Sequence, residues 1–134
     1  MKTYKVTIQG STPLLMNRYP VEAMLANVKG ATRSLQVHDH KIEAERAAYW
    51  TTSGKKELCI PGIILYSAIL AASSFHKINK RSARSILAGA IRITGTDGSE
   101  EVRLGTSDYV VDIRPVVIQR ARVLKARARL DKWN

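Results

Sequence analysis

The sequence predicts an α+β fold in which an antiparallel sheet packs on one central, buried helix. Three observations carry that expectation. Residues 2–9 alternate, with Tyr4, Val6 and Ile8 on one side and Lys5, Thr7 and Gln9 on the other. Residues 62–75 are apolar almost all round, as a buried helix is. From Tyr109 a β-prone stretch runs into an alternating basic segment that ends at Leu130. A chain of 134 residues, 45% of them hydrophobic, suffices for one core, so a single domain over 1–134 is expected.

The elements follow in order. Lys2–Gln9 reads as a half-buried strand, closed by the turn Gly10-Ser11-Thr12-Pro13. Leu14-Leu15-Met16 is a short apolar patch. Residues 17–38 hold no sustained period and form the expected mobile or partner-ordered segment. Asp39 is placed to cap a helix running to about Trp50, with Ile42, Arg46 and Tyr49 sharing a face. Thr51–Lys56 is a polar turn at Gly54, and Leu58-Cys59-Ile60 an extended entry. Pro61 suits the first turn of the following helix, Gly62–Phe75.

Ser82–Ala88 reads as a second short helix that turns Arg81 and Arg84 outward. Ala90–Gly95 alternates, Ile91 and Ile93 inward, and Asp97-Gly98 marks a turn before a short strand at Val102 and Leu104. Pro115 interrupts the strand Tyr109–Ile118, which favours an edge position or a bulge. Beyond Gln119 a helix scatters the charges around a cylinder. A strand places Lys125, Arg127 and Arg129 on one face, and a bulge near Val123-Leu124 brings Arg120 and Arg122 into line with them. The alternation favours the strand.

Charge narrows the function. The chain carries 22 Lys and Arg against 11 Asp and Glu, net +11, which points to a polyanionic partner. The bases are clustered. One group is Lys77, Lys80, Arg81 and Arg84; the other runs Arg114, Arg120, Arg122, Lys125, Arg127, Arg129 and Lys132, opposed locally by Asp131. A solvated face is the bland account of one such run, but two with few neutralising carboxylates repel themselves and favour a partner.

Enzymatic chemistry finds little support. His38-x-His40 beside Asp39 has the spacing of a ligand pair but lacks further ligands, so polar loop residues beside a helix cap explain it better. Cys59, between Leu58 and Ile60, reads as a small buried hydrophobe. Adjacent Glu100 and Glu101 face opposite ways on a strand and make no acid/base pair. No phosphate-binding glycine loop, nucleophile elbow or zinc-protease motif is present. No enzyme, cofactor or metal is therefore expected. No apolar run approaches the ~20 residues a bilayer demands, and Met1–Val6 lacks the apolar part of a signal peptide. A cytoplasmic location is expected, with no membrane partner.

Two stretches carry a resemblance. Val6-Thr7-Ile8-Gln9-Gly10-Ser11-Thr12-Pro13-Leu14-Leu15-Met16 and Leu58-Cys59-Ile60-Pro61-Gly62-Ile63-Ile64-Leu65 together resemble the opening of the RAMP proteins of CRISPR effectors, over about the first 75 residues. There a strand with a Gly-x-x-Pro-Leu step is followed by an Ile-Pro-Gly segment that starts a helix. The resemblance implies a ferredoxin-like, RRM-type fold with single-stranded nucleic acid on the sheet side. Together with Arg114–Val123, the chain is also similar to small proteins from phage genomes, which implies the host cytoplasm.

The functional expectation is a sequence-independent binder of single-stranded nucleic acid, DNA before RNA. Side chains on one face of a strand repeat every ~6.8 Å, a spacing suited to following phosphates. The expected contacts are Arg120, Arg122, Lys125, Arg127 and Arg129, helped by Lys80, Arg81 and Arg84. Tyr19 and Trp50, in or beside less regular segments, are the expected base-stacking residues. Self-association, as a homo-oligomer or cooperatively along the strand, is expected from an exposed basic edge. The rival reading is a RAMP-like subunit, or an inhibitor imitating one, whose role is to bind protein.

Overall fold

The β-prone basic stretch from residue 110 to 130 folds as one hairpin, and that hairpin organises the residues around it. In the computed structural model, which describes residues 2–19, 39–118 and 120–134, the elements in chain order are β1 (Leu14–Leu15), α1 (His40–Ala47), β2 (Cys59–Pro61), α2 (Gly62–Ser73), β3 (Lys77–Ile78), β4 (Arg81–Ser82), α3 (Ala83–Leu87), β5 (Glu101–Arg103), β6 (Val110–Ile118) and β7 (Ala121–Leu130). The protein is α+β, and its sheets are antiparallel. The expected mobile segment 17–38 falls, beyond Tyr19, outside the described residues, as does His38.

The chain divides into two compact units, Met1–Tyr49 with Ser107–Asn134, and Trp50–Thr106. In the first, a three-stranded sheet has the order β1-β7-β6. The β6–β7 register runs unbroken from Val110 opposite Arg129 to Ile118 opposite Ala121, with Arg120 in the connecting turn at φ 68°. The strand reading of 121–130 holds, and the suggested bulge at Val123-Leu124 does not occur: Val123 pairs with Val116 and Leu124 with Pro115. The positive φ at Arg120 lets a tight turn reverse the chain, so no extra residue is needed to reach the partner strand. Pro115 does sit on an edge strand among the described residues, where β6 has β7 as its neighbour in the sheet.

Alternation along β7 turns Ala126, Ala128 and Leu130 to a core face, the two alanines at 0% exposure. Met16, whose N–H donates to the Ala128 carbonyl at 2.9 Å, joins this core. Helix α1 packs against β7 and β6. It starts where expected: the Asp39 carboxylate accepts from the amides of Lys41 (2.8 Å) and Ile42 (3.2 Å), satisfying two of the helix's orphan donors. It ends at Ala47, earlier than expected, and its buried residues are Ala44 and Ala47, while Ile42 is exposed. Small residues on both sides let helix and sheet approach closely, so alanines rather than the larger Ile42 make the contact.

The alternating segment 2–9 is not a strand. Its residues are exposed, Tyr4 at 78%, and the first backbone bond of the chain among the described residues is Gly10 N–H to Trp133 O, 3.0 Å. Residues 10–16 run antiparallel to 128–133, and among the described residues 2–9 pair with no strand. Alternation marks the faces of a strand but does not supply the neighbouring edge. Gly10 lies where a Cβ would collide with the Trp133 indole, and that indole N–H donates to Thr12 O at 3.0 Å.

In the second unit β2 pairs with β5, Cys59 opposite Arg103, with Leu58 and Cys59 buried. The return strand thus finds β2 rather than 90–95. Ile91 and Ile93 are half-buried and Arg92 and Thr94 exposed, as the pattern required, but the segment makes no ladder. Its turn closes with Gly98 at φ 81°, and Asp97 Oδ1 accepts from the Ser99 amide at 3.0 Å.

Helix α2 forms as expected, after Pro61, yet it is not the buried centre of the fold. Its buried residues are Gly62 and Ser73, whereas Ile63 is 64% exposed and Ile64 and Ile69 are also exposed. In its own unit, α2 packs on β2 and on the five-residue α3, elements too small to bury a helix that is apolar on all sides.

This division sets an expectation for stability. Ala126→Asp places a carboxylate in the alanine-lined core and costs on the order of 3 kcal/mol or more, whereas Ile63→Asp changes the melting temperature little; denaturant titration of both variants reads the contrast. A second expectation concerns pH. Hydrogen bonds from the Ser99 hydroxyl and amide, helped by Arg103 with Nε 3.0 Å away, lower the Asp97 pKa from its ordinary 3.8 to about 2. A lowered folded-state pKa stabilises the turn above the unfolded value, and that contribution fades as pH falls from about 4 through about 2. Carboxyl NMR titration is expected to place Asp97 near 2, and Ser99→Ala to raise it.

Candidate nucleic-acid interface

The same alternation that buries Ala126 and Ala128 puts Lys125, Arg127 and Arg129 on the opposite face of β7. Directly opposed residues of an antiparallel pair share a face, so Arg114, across from Lys125, and Asp112, across from Arg127, belong to it as well. This face therefore gathers four cations and one carboxylate.

Asp112 is the ordering element. It is 9% exposed, with Arg114 Nε 2.6 Å from Oδ2 and Arg129 Nη1 3.4 Å from Oδ1. Arg129 also has Nε 2.9 Å from Asp131. The Arg114 pair and the Arg129–Asp131 pair are ion pairs at short range without hydrogen-bond alignment, while Arg129 Nη1 donates to Asp112. Arg127 Nε is buried and makes no hydrogen bond. The expectation that Asp131 alone opposes the C-terminal cations is thus corrected: β pairing brings in Asp112 from a position 15 residues before Arg127 (127 − 112).

The other expected residues fall as follows. Arg120 occupies the hairpin turn and Arg122 is exposed on β7. With the register unbroken, Arg122 shares the core-side face with Ala126 and Ala128 rather than the face of Lys125, so the five β7-region cations form a tip and a face, not one row. Lys80, at φ 66°, lies in the turn between β3 and β4; Arg81 is in β4 and Arg84 in α3, all exposed. These three belong to the second unit and the hairpin cations to the first. Tyr19 is exposed, three residues beyond Met16. Trp50 is half-buried, bridges to Leu58, and has Lys56 Nζ 4.4 Å from its ring centroid, so one ring face already holds a cation.

His40 opens α1, its Nδ1 3.9 Å from Glu43 Oε2. Among the described residues no group of three or more His, Cys, Asp and Glu comes together, and no helix is long and apolar enough to cross a membrane. No family model matches the chain, nor does any curated protein or solved structure.

Sequence reasoning passed over Arg114 as a contact and Asp112 as its partner. The available signal was the β-prone run on both sides of Gln119: folding it as a hairpin with a two-residue turn pairs 112 with 127 by arithmetic. Replacing Asp112 by Asn leaves guanidiniums facing one another without their carboxylate. The expected loss is about 1–2 kcal/mol, discounted because Arg114 is half-exposed. Urea denaturation checks it.

Proposed function

We propose that the protein binds single-stranded nucleic acid without sequence preference, DNA more readily than RNA, and performs no catalysis itself. The observation that supports the reading most is the arrangement of the β6–β7 hairpin: Lys125, Arg127 and Arg114 share one sheet face, and Arg120 and Arg122 lie at or near its tip. Successive side chains on this face stand ~6.8 Å apart along β7, so a flexible phosphate chain meets one cation after another. Each such meeting releases counterions, which drives binding and makes it fall with salt. An antiparallel sheet with a helix on one face and cations on the other is also the layering of an RRM-type, ferredoxin-like fold, and this supports that finer reading of the architecture. The edge position of β6 among the described residues supports self-association along a bound strand.

A second reading, a RAMP-like or RAMP-imitating protein that binds another protein, is favoured by the exposed apolar side chains of α2 and by Phe75, 88% exposed.

The test replaces Arg120, Arg122, Lys125 and Arg127 by Ala and compares this set with Lys2, Lys5, Lys41 and Lys55, which are exposed and remove the same charge. Arg129 is left in place because its ion pairs hold the hairpin. For the hairpin set, binding weakens for all sequences alike, and the log K against log salt slope flattens by roughly 0.7 for each phosphate that is no longer neutralised. The control set leaves the slope nearly unchanged. Equal effects from the two sets, or no preference for single strand over duplex, count against the reading.

A further inference from the structure

The core-side face of the hairpin changes character along its length. Near Leu130 it is covered: Ala126, Ala128 and Leu130 are buried with Met16 and the alanines of α1. Toward the turn its described side chains are exposed. From Ala126 to Ala121 is five residues, so about 17 Å of ribbon runs beyond the last buried residue of β7. Over that length the face carries Pro115 opposite Leu124 and Val117 opposite Arg122, with Leu124 59% and Val117 70% exposed. Ile113, opposite Ala126, is exposed at the margin.

A bare aliphatic patch is costly in water, at ~25 cal/mol for each Å² of apolar surface that a partner could cover. The surroundings say what kind of partner fits. Arg122 lies on the patch itself and Arg120 in the adjoining turn. The nearest carboxylate of the hairpin, Asp112, belongs to the other face and is engaged by Arg114 and Arg129. An occupant is thus flat or apolar toward Pro115, Val117 and Leu124 and anionic toward Arg120 and Arg122. A nucleotide has both properties in one unit: a base with an apolar face, and a phosphate. Pro and Leu are among the apolar side chains that proteins set against base faces, and a guanidinium both stacks on bases and pairs with phosphate.

We propose that Pro115, Val117 and Leu124 form a base-contacting surface, with Arg120 and Arg122 holding the phosphates that flank the bases. This rests on the nucleic-acid reading above and adds a component to it: bases meet an aliphatic patch on the hairpin in addition to any aromatic ring. It assigns Arg122 a different partner strand segment from Lys125 and Arg127, because the two sets occupy opposite faces.

The experiment compares a thymine-containing single strand with an abasic strand of equal length, which keeps the phosphates and removes the bases, at ~150 mM salt where loose charge attraction is screened. The parent protein is expected to bind the thymine strand about tenfold more tightly or better. The double variant Val117→Ser with Leu124→Ser loses most of that preference while its salt slope stays that of the parent. Both positions are exposed, so the variant keeps the parent's unfolding midpoint; Leu124→Met, which keeps an apolar side chain, retains the preference. Equal affinity of the parent for the two strands overturns the base contact and leaves phosphate tracking standing, as does a serine variant that still discriminates. Failure of the parent to bind either strand overturns the nucleic-acid reading together with this inference.

Discussion

An unbroken antiparallel register, Val110 against Arg129 through Ile118 against Ala121, decides which side of the sheet each residue of the C-terminal stretch occupies. Because side chains alternate with a period of two, a slip of one residue exchanges the alanine face for the arginine face. The slip is blocked from both sides. It would push guanidiniums into the space that Ala126 and Ala128 fill against α1, and it would take Arg129 away from Asp112. Core and cationic face are therefore two consequences of one pairing.

That pairing also explains how a chain of net charge +11 keeps so many cations on one ribbon. Asp112 sits among them with two guanidiniums engaged, and Asp131 takes a further share of Arg129. Self-repulsion is lowered at the covered end of the hairpin and left standing toward the turn, where Arg120, Arg122 and Lys125 are found. The end of the ribbon with least internal neutralisation is the end where α1 no longer covers the opposite face. Those two properties together make the distal hairpin the natural place for an anionic polymer.

Much of the local structure was legible in the sequence, and the failures share a cause. Asp39 as a cap, Gly54 and Asp97-Gly98 as turns, Pro115 on an edge, and β strand from Ala121 to Leu130 all depend on neighbours in the chain, and all are present. What misled were elements whose fate depends on a distant partner. Residues 2–9 have a strand's alternation but make no ladder with any described strand. Residues 62–73 have a buried helix's composition, yet Ile63 and Ile64 are exposed because the elements of their own unit that pack on the helix are short. Composition ranked the leucine- and isoleucine-rich helix above the charged one carrying Ala44 and Ala47, whereas close packing favoured the small residues. For the site, the cations of β7 were legible from alternation, but the face of Arg122 and the role of Asp112 follow from the hairpin register and could not be assigned while a bulge was allowed.

The central claim, that the hairpin is where a single-stranded nucleic acid binds, is tested most directly by mapping amide chemical-shift changes when a short single-stranded oligonucleotide is added to isotope-labelled protein. The largest changes are expected between Arg114 and Arg127, including Arg120 at the turn, and small ones along α1. Changes concentrated on Lys77–Arg84, or spread evenly over all exposed lysines and arginines, would contradict it.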